Sequence, residues 1–199
     1  MRTLTLLCGF ALCGIAGAAP APAPPPDAAP AFTNPGFANP DTPGLMDGRP
    51  APATANVSDI VFLKTLAMGS RAEVELGKLA GSKASEPGVK SFAQRMVKDH
   101  TDANTRLGAA AGAAKVDLPK DLDPDHAAVR AELQKHDGRG FDLAYVDSQI
   151  RDHQMAAQLL IYEIGSGQSA DARRFAALTL PTVMEHLEMA KSLHDQLTR

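Results

Sequence analysis

From Ser58 to the C-terminus, apolar residues recur every three to four positions, and no stretch alternates with period two. The spacing predicts four long helices. The first spans about Asp59–Ala80 and gathers Phe62, Leu66, Gly69, Glu73, Leu76 and Ala80 on one face. The second follows Ser85, a residue suited to an N-cap, with Glu86 and Pro87 in its first turn. Its stripe is Val89, Phe92, Ala93, Met96, His100, Ala103, Leu107 and Ala111. The third, about Arg139–Ile164, shows Val146, Ile150, His153, Ala157, Leu160 and Ile164, then meets Gly165-Ser166-Gly167 as a stop. The fourth begins near Ser169 and carries Phe175, Leu178, Thr182, His186, Met189, Leu193 and Leu197. Pro181 lies inside it; the missing N–H frees the carbonyl of Ala177 and predicts a kink.

Short links join the first helix to the second and the third to the fourth, which makes each pair an antiparallel hairpin. The segment between the hairpins, about Lys115 to Gly138, is much longer and holds Pro119, Pro124 and a short helix near Asp125–His136. A link of that length can return along the whole bundle. The pattern therefore predicts an all-α, ferritin-like four-helix bundle with one long crossover carrying a short extra helix; an up-down bundle with an excursion is the other topology it allows.

Upstream of Ser58 the pattern changes. A basic end (Met1, Arg2), an apolar run from Leu4 to Ile15 and the small-x-small site Ala16-Gly17-Ala18 read as a secretory signal peptide over residues 1–18, with a run too short to span a bilayer. Cys8 and Cys13 fall within it, so the mature chain has no thiol and its fold rests on the core alone. Residues 19–57 hold eleven of the fifteen prolines and no apolar period, the composition of a disordered tether. Residues 58–199 are one domain's worth of chain. Export places the protein in the periplasm.

Composition narrows the chemistry. The formal charge is −3, or −4 once Arg2 leaves with the signal, and Lys and Arg are dispersed among few aromatics, which argues against nucleic acid as a partner. Charges interrupt every helix, so no membrane span follows the signal. There is no Gly-rich phosphate loop, no G-x-S-x-G elbow and no Cys nucleophile outside the signal.

Of the four histidines that follow an acid directly, three fall within the long predicted helices: Asp99-His100, Asp152-His153 and Glu185-His186. Each histidine lies on an apolar stripe near mid-helix, where an aliphatic residue would avoid the cost of burying a titratable group. His100 and His153 each lie about 21 Å down their helices, and the antiparallel offsets bring His186 and Glu73 within about one turn of the same height. The preceding acids point about 100° away and read as outer partners of the imidazoles or as surface groups. His126 and His136 flank the short helix and read as solvated, while His194 suits a helix C-terminus.

Phe62-Leu63, Ala72-Glu73-Val74-Glu75-Leu76-Gly77, Phe92-Ala93, Met96-Val97-Lys98-Asp99-His100, Phe141-Asp142 with Tyr145, His153, and Pro181 with His186-Leu187 together resemble the DUF4142 family, bacterial exported proteins of unknown function. The resemblance covers about Val57 to Leu197. It implies a ferritin-like fold and an envelope location, and no established activity.

Two functions fit these residues. One is a non-catalytic, exported bundle that binds a partner in the cell envelope, with the histidines as a neutral polar layer bonded to Glu73, Tyr145, Thr182 or one another. The other is a periplasmic metal-binding or redox bundle using Glu73, His100, His153 and His186. Three imidazoles and one carboxylate suit Zn, Cu or Fe better than Mg or Ca. A di-iron centre is disfavoured, because the residues three before His100 and His186 are Val97 and Val183 and not the glutamates that such sites use.

Overall fold

A computed structural model describes residues 55–199; the expected signal peptide and nearly all of the proline-rich segment lie outside the described residues. The described residues form five helices and no strand: α1 (Val57–Lys83), α2 (Pro87–Ala113), α3 (Pro124–Leu133), α4 (Gly138–Ser166) and α5 (Ala170–Thr198). The long helices match the apolar stripes, with differences that come from local chemistry. At the start of α1, the Asn56 side chain accepts from the Asp59 N–H at 2.8 Å, and Asp59 accepts from the Asn56 N–H at 2.8 Å, a complete capping box. Ser85 does not cap α2: Glu86 holds the cap position without a side-chain bond, and the Ser85 hydroxyl donates to Asp142 instead. Ser169 caps α5 as expected, its hydroxyl accepting from the Ala172 N–H at 3.3 Å.

On α5 the buried face differs from the predicted stripe. Ala172, Ala176, Thr179, Val183, His186, Ala190 and Leu197 are buried, at steps that alternate four and three, while Leu178 is 58% exposed. The small side chains Ala172, Ala176 and Ala190 let α5 approach its neighbours along that line, which turns Leu178 outward. Helix α5 continues through Pro181, which is exposed.

Helices α1 and α2 pack as one hairpin and α4 and α5 as another; across the bundle α1 lies against α4 and α2 against α5. The beginning of α1 meets the end of α4 through Asp59, and Gly88 near the start of α2 lies against Leu193 near the end of α5. All four neighbouring pairs are thus antiparallel. The connection between α2 and α4 crosses from one hairpin to the other, with α3 packed on α1 and α4.

Two apolar clusters fill the bundle. One, at the end where α1 begins, includes Phe62, Leu66, Leu107, Leu160, Phe175 and Val183. The other, at the opposite end, includes Leu76, Phe92, Met96, Phe141, Tyr145 and Leu197. Between them the sequence places Ser70 and Glu73 on α1, His100 on α2, Gln149 and His153 on α4, and Thr179 and His186 on α5, a polar waist in an otherwise apolar core.

Each hairpin's turn is held by a buried aspartate from the other hairpin. Asp59 accepts from the backbone N–H groups of Gln168 at 2.9 Å and Ser169 at 3.1 Å, in the α4–α5 turn. Asp142 accepts from the backbone N–H groups of Ser85 at 3.0 Å and Glu86 at 3.0 Å, in the α1–α2 turn. Both aspartates are fully buried, and these bonds satisfy donors that the helix starts would otherwise leave without partners.

Candidate metal centre

The polar waist brings His100, His153 and His186 together. Their ring centroids form a nearly equilateral triangle, 5.6 Å from His100 to His153, 5.6 Å from His100 to His186 and 5.4 Å from His153 to His186. One ring nitrogen from each lies within 4.8 Å of those from the other two. Three separate helices supply the three rings, so bundle packing and not a loop sets the spacing.

Each ring is anchored at one nitrogen. His153 Nδ1 lies 2.9 Å from the Gln149 carbonyl, one turn back on α4. His186 Nε2 lies 3.0 Å from the Asp99 carboxylate on α2. His100 Nδ1 lies 3.1 Å from the Ser70 hydroxyl on α1, which can donate in turn to the His100 carbonyl at 3.5 Å. A carbonyl and a carboxylate only accept, so the anchored nitrogens of His153 and His186 carry the proton, whereas the Ser70 hydroxyl, able to donate or accept, serves either tautomer of His100. The other nitrogens, His100 Nε2, His153 Nε2 and His186 Nδ1, are buried and have no hydrogen-bond partner among the described residues. Nε2 of His153 and Nδ1 of His186 carry a lone pair, as does Nε2 of His100 in the tautomer protonated at Nδ1.

Burial keeps all three rings neutral. It pushes His153 down to about 4, helped by the nearby His186, while the Gln149 carbonyl opposes the shift. His100 falls well below the ordinary imidazole value for the same reason, with His153 and His186 adding to it. His186 is also lowered by burial, with Asp99 resisting. Metal binding requires deprotonated imidazole, and these rings meet that condition well below neutral pH.

Glu73 is buried beside the triangle but on the anchored side of His153. Its Oε1 is 3.9 Å from His153 Nδ1, and its Oε2 accepts from Gln149 Nε2 at 2.7 Å. Burial, with the charge of Asp152 adding to it, raises its carboxyl to about 8. Glu73 therefore stands as a neutral carboxyl behind the rings and is not a fourth member of the triangle. The partners expected for a satisfied polar layer also differ. No imidazole bonds to Glu73, Tyr145 or Thr182; Ser70, Gln149 and Asp99 fill that role instead.

The three acids before the histidines have three fates. Asp99 reaches across to His186 and is held by Arg95 at 3.2 Å. Glu185 pairs with the same Arg95 at 2.8 Å. Asp152 is half-buried, and its Oδ2 has no partner among the described residues. His126 is not solvated as the sequence suggests. It is half-buried, its Nδ1 bonds to Asp123 at the cap of α3, and it helps line a cavity. His136 and His194 stay half-exposed, 3.6 Å from Glu132 and 3.5 Å from Asp147.

That cavity has a volume of about 380 Å³ and lies against the triangle; His100, His153 and Glu73 form part of its wall, with Leu66, Phe175 and Val183. Exposed residues such as Thr65, Met155 and Gln158 stand at its rim.

A sequence model described as a domain of unknown function (DUF4142) matches residues 45–193. The chain belongs to the DUF4142 family. No curated protein matches this DUF4142 chain. Among solved structures, a crystal structure of a DUF305 fragment from Deinococcus radiodurans is 14% identical and has a TM-score of 0.64, covering 72% of this chain and 99% of its own. CopM in an Ag-bound form is 16% identical, with a TM-score of 0.57, covering 69% of this chain and 96% of its own. At these identities the likeness is one of fold. No helix among the described residues of the DUF4142 chain is long and apolar enough to cross a membrane.

Proposed function

We propose that this protein is an exported, ferritin-like bundle of the periplasm that binds one metal ion at His100, His153 and His186. The observation that carries the reading is the set of three buried, unpartnered ring nitrogens from three helices, each on a ring anchored at its other nitrogen. A polar layer whose only task was to fix helix register would satisfy both nitrogens of each ring. Here one per ring is left, and one nitrogen of each ring lies within 4.8 Å of those of the other two. Anchoring by a carboxylate, a carbonyl and a hydroxyl is the outer arrangement that orients metal-bound imidazoles.

Three neutral donors and no thiolate suit copper or zinc, with iron behind them. The charge balance points the same way. A monovalent copper ion is offset by Asp99 alone, whereas a divalent ion also draws on ionisation of the Glu73 carboxyl. CopM, of the same fold, is known with silver, a soft monovalent ion of copper(I)-like character. Glu73 acts behind the ligand set, and the proline-rich arm tethers the bundle in the envelope.

The test is a thermal-unfolding titration of chelator-stripped protein with zinc, copper(I) and iron(II). Binding to the folded chain raises the midpoint by mass action, and His100→Ala, His153→Ala and His186→Ala each remove that rise. No shift with any of the three metals refutes the reading and leaves the partner-binding bundle in its place.

A further inference from the structure

An ion needs far less room than the cavity beside the histidines provides. At about 380 Å³ it falls in the range of small-molecule sites, and carbon dominates its wall, through Leu66, Leu159, Phe175 and Val183 among others. His100 and His153 form part of that wall and His186 does not, so an ion held by all three rings borders the cavity. Three protein donors leave such an ion at least one open position.

Two features of the wall bear on what could fill the space. Gly69 lies inside α1 and lines the cavity, and a Cβ built on it meets nothing within 4 Å. Alanine would fit there and is the better helix former, so no packing contact requires this glycine, and its missing side chain adds to the room in the cavity. Gly77, two turns on, is the opposite case: a Cβ there would come within 2.8 Å of Val97 on α2. The second feature is the Thr179 hydroxyl, which lines the cavity, is buried, and has no partner among the described residues. It offers a hydrogen bond to whatever fills the space.

We propose that the three-histidine centre takes a second ligand from this cavity: an uncharged small molecule with a carbon-rich body and one nitrogen or oxygen lone pair for the metal. The inference rests on the metal reading of the same site. Carbon walls favour an apolar body. Asp152 and the carbon-rich wall disfavour an anion, and the three imidazoles, bearing an ion, disfavour a cation. One donor atom reaches the open position, while a polar group elsewhere on the molecule meets Thr179.

The experiment uses the full chain loaded with cobalt(II), a visible stand-in for zinc. Ligand-field bands of bound cobalt come first: their absence from the wild-type protein overturns this inference, while the metal reading itself stands or falls with the zinc, copper(I) and iron(II) titration. The cobalt protein is then titrated with 4-phenylimidazole, imidazole and azide. The expected result is a saturable change in the bands with 4-phenylimidazole at a concentration at least tenfold below that for imidazole. Gly69→Leu, which fills the cavity and replaces no histidine, should keep the cobalt bands and weaken 4-phenylimidazole at least tenfold. Ala156→Phe, on the same wall, serves if the first variant fails to fold. Equal affinity for the two imidazoles, azide binding more tightly than either, or no effect of the filled cavity overturns the second-ligand proposal while leaving the metal site intact.

Discussion

Asp99 on α2 holds His186 on α5, with its Oδ2 3.0 Å from the ring Nε2. The acid that precedes one histidine of the triangle thus orients a different one. On its own helix Asp99 points about 100° away from His100, and that direction faces α5. Arg95, one turn earlier, holds Asp99 at 3.2 Å and Glu185 at 2.8 Å, so the acids of two Asp/Glu-His pairs share one guanidinium.

The first prediction follows from that bond. Asp99→Ala removes the acceptor that keeps the proton on Nε2 of His186, and the ring can then turn or change tautomer. Metal affinity should fall by about 10–100-fold while the helical content stays unchanged. Isothermal titration beside circular dichroism measures both; an unchanged affinity would show that Asp99 is only a surface ion-pair partner.

Acid should compete for the site later than free imidazole implies. With His153 held at about 4 and His100 and His186 also lowered, protons displace metal at a lower pH than the ordinary value of about 6.5 that the sequence alone suggests. The sign for stability is the same. A folded pKa below the unfolded one gives stability that is complete above about 6.5 and is lost as the pH falls towards the folded value. Metal-free Glu73→Gln protein, in which the opposing carboxyl cannot titrate, should unfold more readily in urea at pH 5 than at pH 7, and adding His153→Asn should shrink the difference.

Glu73 works in the opposite direction. Its carboxyl rises from an ordinary 4.5 to about 8, so the folded state favours the neutral acid. That contribution is complete below about pH 4.5 and is lost as the pH rises through 8. Above the histidine range, between pH 7 and pH 9, the wild-type protein should therefore lose stability, by about 1.4 kcal/mol over the unit from pH 7 to 8. Glu73→Gln should flatten that alkaline arm; a variant with the same slope as wild type would show that Glu73 is not its source.

Two glycines of α1 should respond to alanine with opposite signs. Gly77→Ala drives a Cβ against Val97 at 2.8 Å and the Ala93 carbonyl at 3.0 Å, and should cost about 1–3 kcal/mol. Gly69→Ala meets nothing within 4 Å and should stabilise by up to about 1 kcal/mol. Thermal midpoints, moving by about 2–4 °C per kcal/mol, separate the two.

Removing the N-terminal arm tests where the domain begins. Deleting residues 19–54 should leave the midpoint within a few degrees. Extending the deletion through Val57 removes Asn56 and its capping box, at a cost of about 1 kcal/mol. Equal midpoints for the two deletions would show that the cap contributes nothing.

The helices, the long crossover and the heights of the three histidines were legible because each depends on spacing along one helix. What lies between helices was not. Ser70 reads as an ordinary small residue on α1, and Gln149 as a polar residue beside Ile150, until packing puts one against His100 and the other between Glu73 and His153. Glu73 was found in the right layer with the wrong partner, since rise gives height but not which way a carboxyl turns. Leu178 was misplaced because its hydrophobicity outweighed the close approach that Ala172 and Ala176 allow. His126 looked solvated because nothing in the sequence shows that α3 folds back over the bundle.

The exchange of aspartates between hairpins has a consequence for how the chain comes apart. Each half of the molecule holds the part that completes the other: Asp59 serves the α4–α5 turn, and Asp142 serves the α1–α2 turn. A hairpin standing alone would have a turn with unbonded donors and a charged carboxylate stranded on an apolar face. Neither half is a stable way-station, so the bundle should melt as a single unit. A cut in the 114–123 connection should leave two fragments that still hold each other, because the bond between them is reciprocal and does not run through the chain.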